Sequence, residues 1–515
     1  MAQGARKRRI RSADAVAPPI TSSPKMNTRI RDFEGQHVHL VGIGGCGMRG
    51  AALVLMRRGA SVTGSDSSAS GEIAKLVKAG AAVAIGQHAD NVPESTNLLV
   101  YSAAVKPDNA ELSEARRRGI QTIKYSDLLG LLMQGRDGIA IAGTHGKSTT
   151  TAMTAYVLRQ AGCDPSFVIG AVVNQLGGGS GVGDGPHFVV EACEYDRSFL
   201  RLAPKYATIL NIEEDHLDCY KDLQDIIGAF SEFSALLPRE GVLVVNGDSR
   251  TAITAAQTAC SHVETFGFGP DMTWQAVDPV AERGCFRFGI ARDGNVLAET
   301  QLQIPGRHHV GNALAAAAMC WHGGVPMDVV ARILPEFAGA QRRLTLRGEV
   351  NGVTIVDDYA HHPTEIQVTL RAARELYQPR RLWVVFQPHQ HSRTRFLLKD
   401  FARSFALADV VLVPEIYFVR DSETERNLVT ACDLVDQIHL NGGDARHEPS
   451  FERIVSQLAE SVEPGDVVLT MGAGNVWQVA DSLVAAMSCS QPIGEFVPGC
   501  AGSGVLTLRA LRSAV

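Results

Sequence analysis

Along this chain one pattern recurs: a short apolar run, a glycine-rich turn, then a longer stretch with apolar residues at helical spacing. His37-Val38-His39-Leu40-Val41 leads into Gly42-Ile43-Gly44-Gly45-Cys46-Gly47-Met48, and the apolar stretch Ala51-Ala52-Leu53-Val54-Leu55-Met56 follows before Gly59. An apolar run ending in glycines reads as a buried parallel strand turning into a helix. A second strand over 61–64, ending at Ser65-Asp66, completes a βαβ unit, and residues 98–102 read as a later strand of the same sheet. The next segment predicts strands at 138–142, 188–191, 207–211 and 242–245, with a helix from the first of these to Gly162. Residues 274–303 turn to short alternation, as in a small antiparallel sheet, and 313–320 is a compact apolar helix. After Gln341-Arg342-Arg343, strands at 353–356, 382–386, 410–413 and 467–470 alternate with helical stretches in a doubly wound pattern, the last ending in Met471-Gly472-Ala473-Gly474-Asn475.

The predicted fold is therefore α/β in three domains: a Rossmann-like one over 35–134, a central P-loop domain with a parallel sheet plus a small antiparallel sheet over 135–341, and a second Rossmann-like domain over 342–487. A length of 515 residues suits three domains better than one core. Residues 1–34 read as a disordered basic tail, with an anionic surface as the other use of its Lys7-Arg8-Arg9 and Arg11; residues 488–515 read as a poorly ordered extension. The tail lacks the apolar segment of a signal peptide, and no apolar run is long enough to span a membrane. A net charge of −6 argues against a nucleic-acid partner while leaving room for a local basic pocket. The ten cysteines include no C-x-x-C pair, so reduced thiols in a cytoplasm are expected. Monomer and dimer both stay open.

The chemistry concentrates at Gly143-Thr144-His145-Gly146-Lys147-Ser148, between a strand and a helix opened by Thr149-Thr150-Thr151. Glycines let backbone N–H groups face phosphates, and the helix N-terminus adds positive potential. Lys147 would reach the terminal phosphates and Ser148 would ligate Mg2+. Ile141 stands where the usual spacing has a glycine, so this is a shortened loop. Glu191, at a strand's carboxyl end, is placed to help hold the metal. Asn211-Ile212-Glu213-Glu214-Asp215-His216-Leu217-Asp218 ends the next strand, where a second metal or a transferring phosphoryl group would lie; a solvated loop is the alternative. Gly42-x-Gly44-x-x-Gly47 with Asp66 fits a dinucleotide turn, but a second nucleotide site at Lys147 favours another diphosphate, such as a UDP-sugar.

With these motifs the chain resembles the Mur ligases of peptidoglycan synthesis, and within them the branch that adds L-alanine to UDP-N-acetylmuramate. Further matching marks are Glu191-Ala192-Cys193-Glu194, Pro305-Gly306-Arg307-His308, Asp357-Asp358-Tyr359-Ala360-His361-His362-Pro363 and Phe386-Gln387-Pro388-His389. The resemblance covers about 37–483 and implies an ATP-dependent amide-forming ligase that works through an acyl phosphate, with ATP and Mg2+ as cofactors. It implies a UDP-sugar site at Gly42, Gly44, Gly45, Gly47, Met48, Asp66 and Ser102. It implies an ATP site at Gly143 to Thr149 with Asn312, Arg343 and Asp358, metal ligands Ser148, Glu191 and His216, and an amino-acid site at Tyr359, His361, His389 and Arg393. Lys147, His216, Arg343 and His361 are the expected catalytic groups. Two departures stand out. His309 replaces the Asn that usually follows Pro-Gly-x-His, and Gln390 replaces the Arg that usually follows Phe-Gln-Pro-His. The alternatives are a muropeptide-recycling ligase that adds a tripeptide, a folylpolyglutamate synthase (which lacks the first glycine-turn domain), and a nucleotide-sugar sensor without catalysis.

Overall fold

Each of the three predicted segments builds its own sheet, and the carboxyl ends of the strands carry the glycine turns. This computed structural model describes residues 33–419 and 421–489. The predicted basic tail up to residue 32, and the predicted extension beyond Cys489, lie outside the described residues. The first sheet is all parallel, in the spatial order Ala82–Ile85, Ser61–Asp66, His37–Val41, Leu98–Tyr101, Gln121–Lys124. Strand order reverses beside His37–Val41, which is where an open sheet of this kind leaves a ligand crevice. The turn at Gly42 opens there.

The second sheet has ten strands. Asp137–Ala142 is paired in parallel by Tyr206–Ile209 on one side and His187–Ala192 on the other, so the loop after it emerges between two further strand ends. The small antiparallel sheet expected over 274–303 is corrected: Trp274–Glu282, Cys285–Arg292 and Asn295–Gln301 form an antiparallel meander that continues this same sheet. The continuity is made by a two-residue parallel pairing of Phe266 and Gly267 with Trp274 and Gln275, a register that sequence alternation does not reveal. At the opposite edge, Ser166–Val173 pairs with Gly178–Gly181 as a hairpin that the sequence reading did not assign. Helix Cys46–Arg57 of the first unit packs on this hairpin so closely that a Cβ on Gly50 would lie 2.6 Å from Ser180 Cβ. Helix Lys147–Gln160 is buried from Ser148 to Leu158, covered by the alanine-rich helix His308–His322. Small side chains let these two helices approach each other closely.

The third sheet is parallel through Val353–Asp358, Val467–Met471, Leu382–Phe386, Val410–Val413 and Ala445–His447, with Thr345–Val350 antiparallel at one edge. The chain enters this unit through a sharply turned connection. Arg342 and Leu344 both take left-handed backbone angles (φ +58° and +44°), unfavourable for side chains of this size and therefore held by their surroundings. The Arg342 guanidinium supplies the hold: it donates to Asp357 Oδ2 at 2.9 Å and to the Gly472 carbonyl at 2.6 Å.

Candidate active site

The phosphate loop is shaped by two left-handed glycines, Gly143 (φ +142°) and Gly146 (φ +83°), the second being the residue before helix Lys147–Gln160. Its lysine folds back on the loop. Lys147 Nζ donates to the carbonyls of Gly143 (2.6 Å) and Thr144 (2.9 Å) and pairs with Glu194 at 2.9 Å. Burial alone would lower the Lys147 pKa, but Glu194, aided by Cys193 and Glu191, outweighs it and holds the ammonium above its ordinary range. Burial pushes the Glu194 carboxyl up, against the opposing pull of Lys147. Lys147 thus stands charged and sequestered by a carboxylate that a phosphate would have to displace. The sequence marks Glu194 only as part of the Glu191-Ala192-Cys193-Glu194 motif and gives it no role, because its pairing with Lys147 is made 47 residues away in the chain.

Lys147 faces a cavity of about 380 Å³, lined also by Ser148, Glu191, His216, Arg343 and His361. Hydroxyl, carboxylate and imidazole are the donor types expected for the metal, and here they share one wall system. Burial pulls His216 down to about 4, despite the opposing charge of Asp215, so its ring is neutral and able to ligate near pH 7. Its backbone is left-handed (φ +52°), aimed by a bond from its own N–H to Asp215 Oδ1 at 2.7 Å. Arg49, from the helix that docks on the edge hairpin, also lines this cavity while paired with Glu72 at 2.5 Å.

Behind the loop lies a smaller cavity of about 70 Å³, lined by His145, Gly146, Thr149, Asn312, Arg343 and Asp358. It gathers most of the expected nucleotide contacts, and Arg343 borders both cavities. Gly143 borders neither; its part is the turn itself, where a Cβ would lie 2.9 Å from Leu210 Cβ. His309, the first departure, also lines the smaller cavity and meets Asn312 through its Nδ1 at 3.2 Å, so it orients that amide from the place of the missing Asn. Asp358 takes backbone N–H bonds from Leu344 (2.7 Å) and Ala360 (2.8 Å), and burial lifts its carboxyl to about 6.

Tyr359, His361, His389 and Arg393 do come together, around a pocket of about 160 Å³ that Gln390 also borders. One expectation changes. Arg393 was expected to clamp a carboxylate from a substrate, but its Nε (3.0 Å) and one terminal nitrogen (2.7 Å) already donate to Asp215 Oδ1. Only its remaining edge, beside His389, faces the pocket. Asp215 is correspondingly held far below the carboxylate range by Arg393, against burial. The acidic cluster divides its groups: His216 lines the phosphate cavity, while Glu213 and Asp215 turn toward the third unit. Glu213 accepts from the Thr364 hydroxyl (2.6 Å) and from His145 Nε2 (3.3 Å).

His145 is the hub of this contact. Its Nδ1 donates to Glu365 at 3.2 Å, so both ring nitrogens face carboxylates and both carry protons. Burial opposes the charge, but Glu213 and Glu365 lift His145 to about 9. Among the described residues, His145, Glu213 and His362 have the ligand types and spacing of a metal cluster. Their nitrogens are already engaged, since His362 bonds the Glu214 carbonyl through Nε2 and accepts from Thr364 N–H at Nδ1. This grouping is an ionic clamp between units. A group whose pKa rises on folding contributes stability that is complete below its unfolded value near 6.5 and fades as pH passes the folded value. Thermal stability should therefore fall between pH 6.5 and about 9 more steeply in the unmodified protein than in His145→Gln, measured by melting across that window. Equal slopes would exclude a charged His145.

In the first unit, Gly42, Gly44, Gly45, Asp66 and Ser102 line an open crevice of about 670 Å³ at the strand switch. Asp66 Oδ2 accepts the Gly44 N–H at 2.8 Å, so it braces the turn as well as facing the crevice. Gly47 and Met48 are corrected. Gly47 makes room for Tyr125, whose hydroxyl would be 2.4 Å from an added Cβ, and Met48 is buried in the core. The helix following the turn carries both residues away from the crevice.

Three family profiles match the chain in order: "Mur ligase family, catalytic domain" over residues 37–137, "Mur ligase middle domain" over 141–320, and "Mur ligase, glutamate ligase domain" over 342–474. The chain is a Mur ligase. This Mur ligase is 40% identical over 451 residues (87% of the chain, 97% of the relative) to a protein of Caldanaerobacter subterraneus named UDP-N-acetylmuramate–L-alanine ligase. It is 39% identical over 449 residues (87% and 95%) to one of the same name from Acetivibrio thermocellus. Among solved structures it is similar to the UDP-N-acetylmuramate-alanine ligase of Thermotoga maritima, with TM-score 0.73, 28% identity and coverage of 88% and 100%. It is also similar to a murein peptide ligase of Psychrobacter arcticus, with TM-score 0.67, 27% identity and coverage of 89% and 100%.

Proposed function

We propose that this Mur ligase joins L-alanine to the lactyl carboxylate of UDP-N-acetylmuramate with cleavage of ATP, in peptidoglycan precursor synthesis. The observation that carries the reading is the continuity of sites around Lys147, where the phosphate cavity and the 160 Å³ pocket share His216, Tyr359 and His361 as a common border, and the bonded pair Asp215 and Arg393 lines one on each side. In the proposed reaction a carboxylate oxygen attacks the terminal phosphorus of ATP, the bond to the bridging oxygen breaks, and ADP leaves. The alanine nitrogen then attacks the acyl carbon, and the carbon–oxygen bond to phosphate breaks. Lys147 and Arg343 neutralise charge on the phosphoryl oxygens, the role in which fixed cations act most strongly. Ser148, Glu191 and neutral His216 have the chemistry to hold Mg2+, which when bound would screen the phosphate charges. The contacts of His145, Glu213 and Arg393 across units keep water from an acyl phosphate that hydrolyses readily. His361 is proposed to take the proton that alanine must lose. As working divisions we propose 35–134 for the UDP-sugar, 135–341 for ATP and 342–487 for the amine. Use of ATP and a nucleotide sugar makes the cytoplasm the proposed compartment. Among the described residues no helix is long and apolar enough to cross a membrane.

The choice between alanine and a tripeptide as the amine is a question of substrate. Purified protein with Mg-ATP and UDP-N-acetylmuramate should release phosphate on addition of L-alanine and not of a tripeptide. The reverse result would falsify the alanine reading in favour of a peptide-adding ligase, and no release with either would leave only nucleotide-sugar binding.

A further inference from the structure

Glu365 was not among the expected site residues, yet it lines both the phosphate cavity and the smaller cavity behind the loop, and the phosphate loop and the amino-acid pocket meet through it. It sits in the first turn of helix Pro363–Tyr377, its side chain 13% exposed. One oxygen, Oε1, accepts from His145 Nδ1 at 3.2 Å. The other, Oε2, accepts the His361 backbone N–H at 3.0 Å and lies 3.2 Å from His361 Nδ1. The second neighbour of that Nδ1 is the Tyr359 carbonyl, at 3.0 Å. A carbonyl and a carboxylate can only accept, so Nδ1 must carry a proton, and in the neutral ring the lone pair lies on Nε2. Among the described residues Nε2 makes no hydrogen bond, and the ring borders both the phosphate cavity and the amino-acid pocket.

We propose that Glu365 is a positioning residue that couples the phosphate loop to amine activation, fixing the His361 tautomer and aim only while it is also held by His145. The inference rests on the reading of His361 as the proton acceptor. His145 belongs to the loop of the ten-stranded unit and Glu365 to the third unit, so the bond between them exists only when the two units are closed together. In the coupled step the alanine ammonium passes one proton to His361 Nε2. The freed nitrogen lone pair attacks the acyl carbon, the carbon–nitrogen bond forms, and the carbon–oxygen bond breaks with its electron pair leaving on phosphate. The second nitrogen-bound proton goes to the departing phosphate. Formation of the acyl phosphate does not use His361 as a base, because a carboxylate needs no proton removed before it attacks.

That asymmetry provides the test. With UDP-N-acetylmuramate and Mg-ATP, hydroxylamine in place of alanine traps the acyl phosphate as a hydroxamate, and being neutral near pH 7 it needs no base. Glu365→Gln should give hydroxamate within about threefold of the unmodified enzyme, while amide formation at saturating alanine falls on the order of 10²-fold, the scale of a lost general base. Glu365→Asp should recover part of the amide rate, since a shorter carboxylate can still accept from one of the two partners. Parallel loss of hydroxamate and amide would show a merely structural residue and overturn the proposal, as would an unchanged amide rate. If the unmodified enzyme forms no hydroxamate, it is the acyl-phosphate reading that fails, not the role of Glu365.

Discussion

Lys147→Ala should reduce phosphate release by a factor on the order of 10³ while leaving UDP-N-acetylmuramate binding to the first unit intact. The size of the effect follows from two losses at one position. The phosphoryl group loses the cation proposed to neutralise it, and the loop loses the side chain that ties the Gly143 and Thr144 carbonyls together. A third consequence concerns stability. Glu194 is 3% exposed, and without its partner it becomes an uncompensated buried carboxylate, a change that costs about 3–5 kcal/mol. The single variant should melt lower than the unmodified protein, and Lys147→Ala/Glu194→Gln should regain much of that loss without regaining turnover. Calorimetry, phosphate release and nucleotide-sugar titration on the three proteins separate these effects. If sugar binding vanished together with turnover, the separation between the crevice at Gly42 and the loop at Lys147 would be wrong.

Arg393→Ala is expected to have the second largest effect, because the side chain joins two jobs that the sequence kept apart. It borders the amino-acid pocket, and it also carries the buried bond to Asp215, next in the chain to His216. Both partners are nearly inaccessible, with side-chain exposures of 6% and 8%, so truncating one strands the other in a medium that solvates charge poorly. The catalytic efficiency for alanine should fall on the order of 10²–10³, with the loss shared between turnover and apparent alanine affinity. Asp215→Asn/Arg393→Ala should be milder than the sum of its single variants, as expected for partners in direct contact. Strict additivity in that cycle would mean that the two residues act independently and that the ion pair contributes nothing to closure.

The sequence alone settled most of what local chemistry controls. Short apolar runs identified Asp137–Ala142, His187–Ala192, Leu382–Phe386 and Val410–Val413 within a residue or two, because a strand buried on both faces must be largely apolar. The phosphate loop was legible for a similar reason: left-handed turns at Gly143 and Gly146 demand glycine, and a phosphate needs a lysine beside them. Long-range register was not legible. Nothing local in 274–303 says that its meander continues the ten-stranded sheet, and nothing in Ser166–Val173 says that an edge hairpin will seat the helix bearing Arg49. The same limit applied to the charged groups. His145 and Glu365 are 220 residues apart, and Asp215 and Arg393 are 178 apart, so only the folded chain decides which carboxylate neutralises which cation. Sequence spacing fixes chemistry within a turn or a strand. The partner of a buried charge is chosen by tertiary packing, because in a low-dielectric interior each charge must find an opposite one wherever the fold brings it.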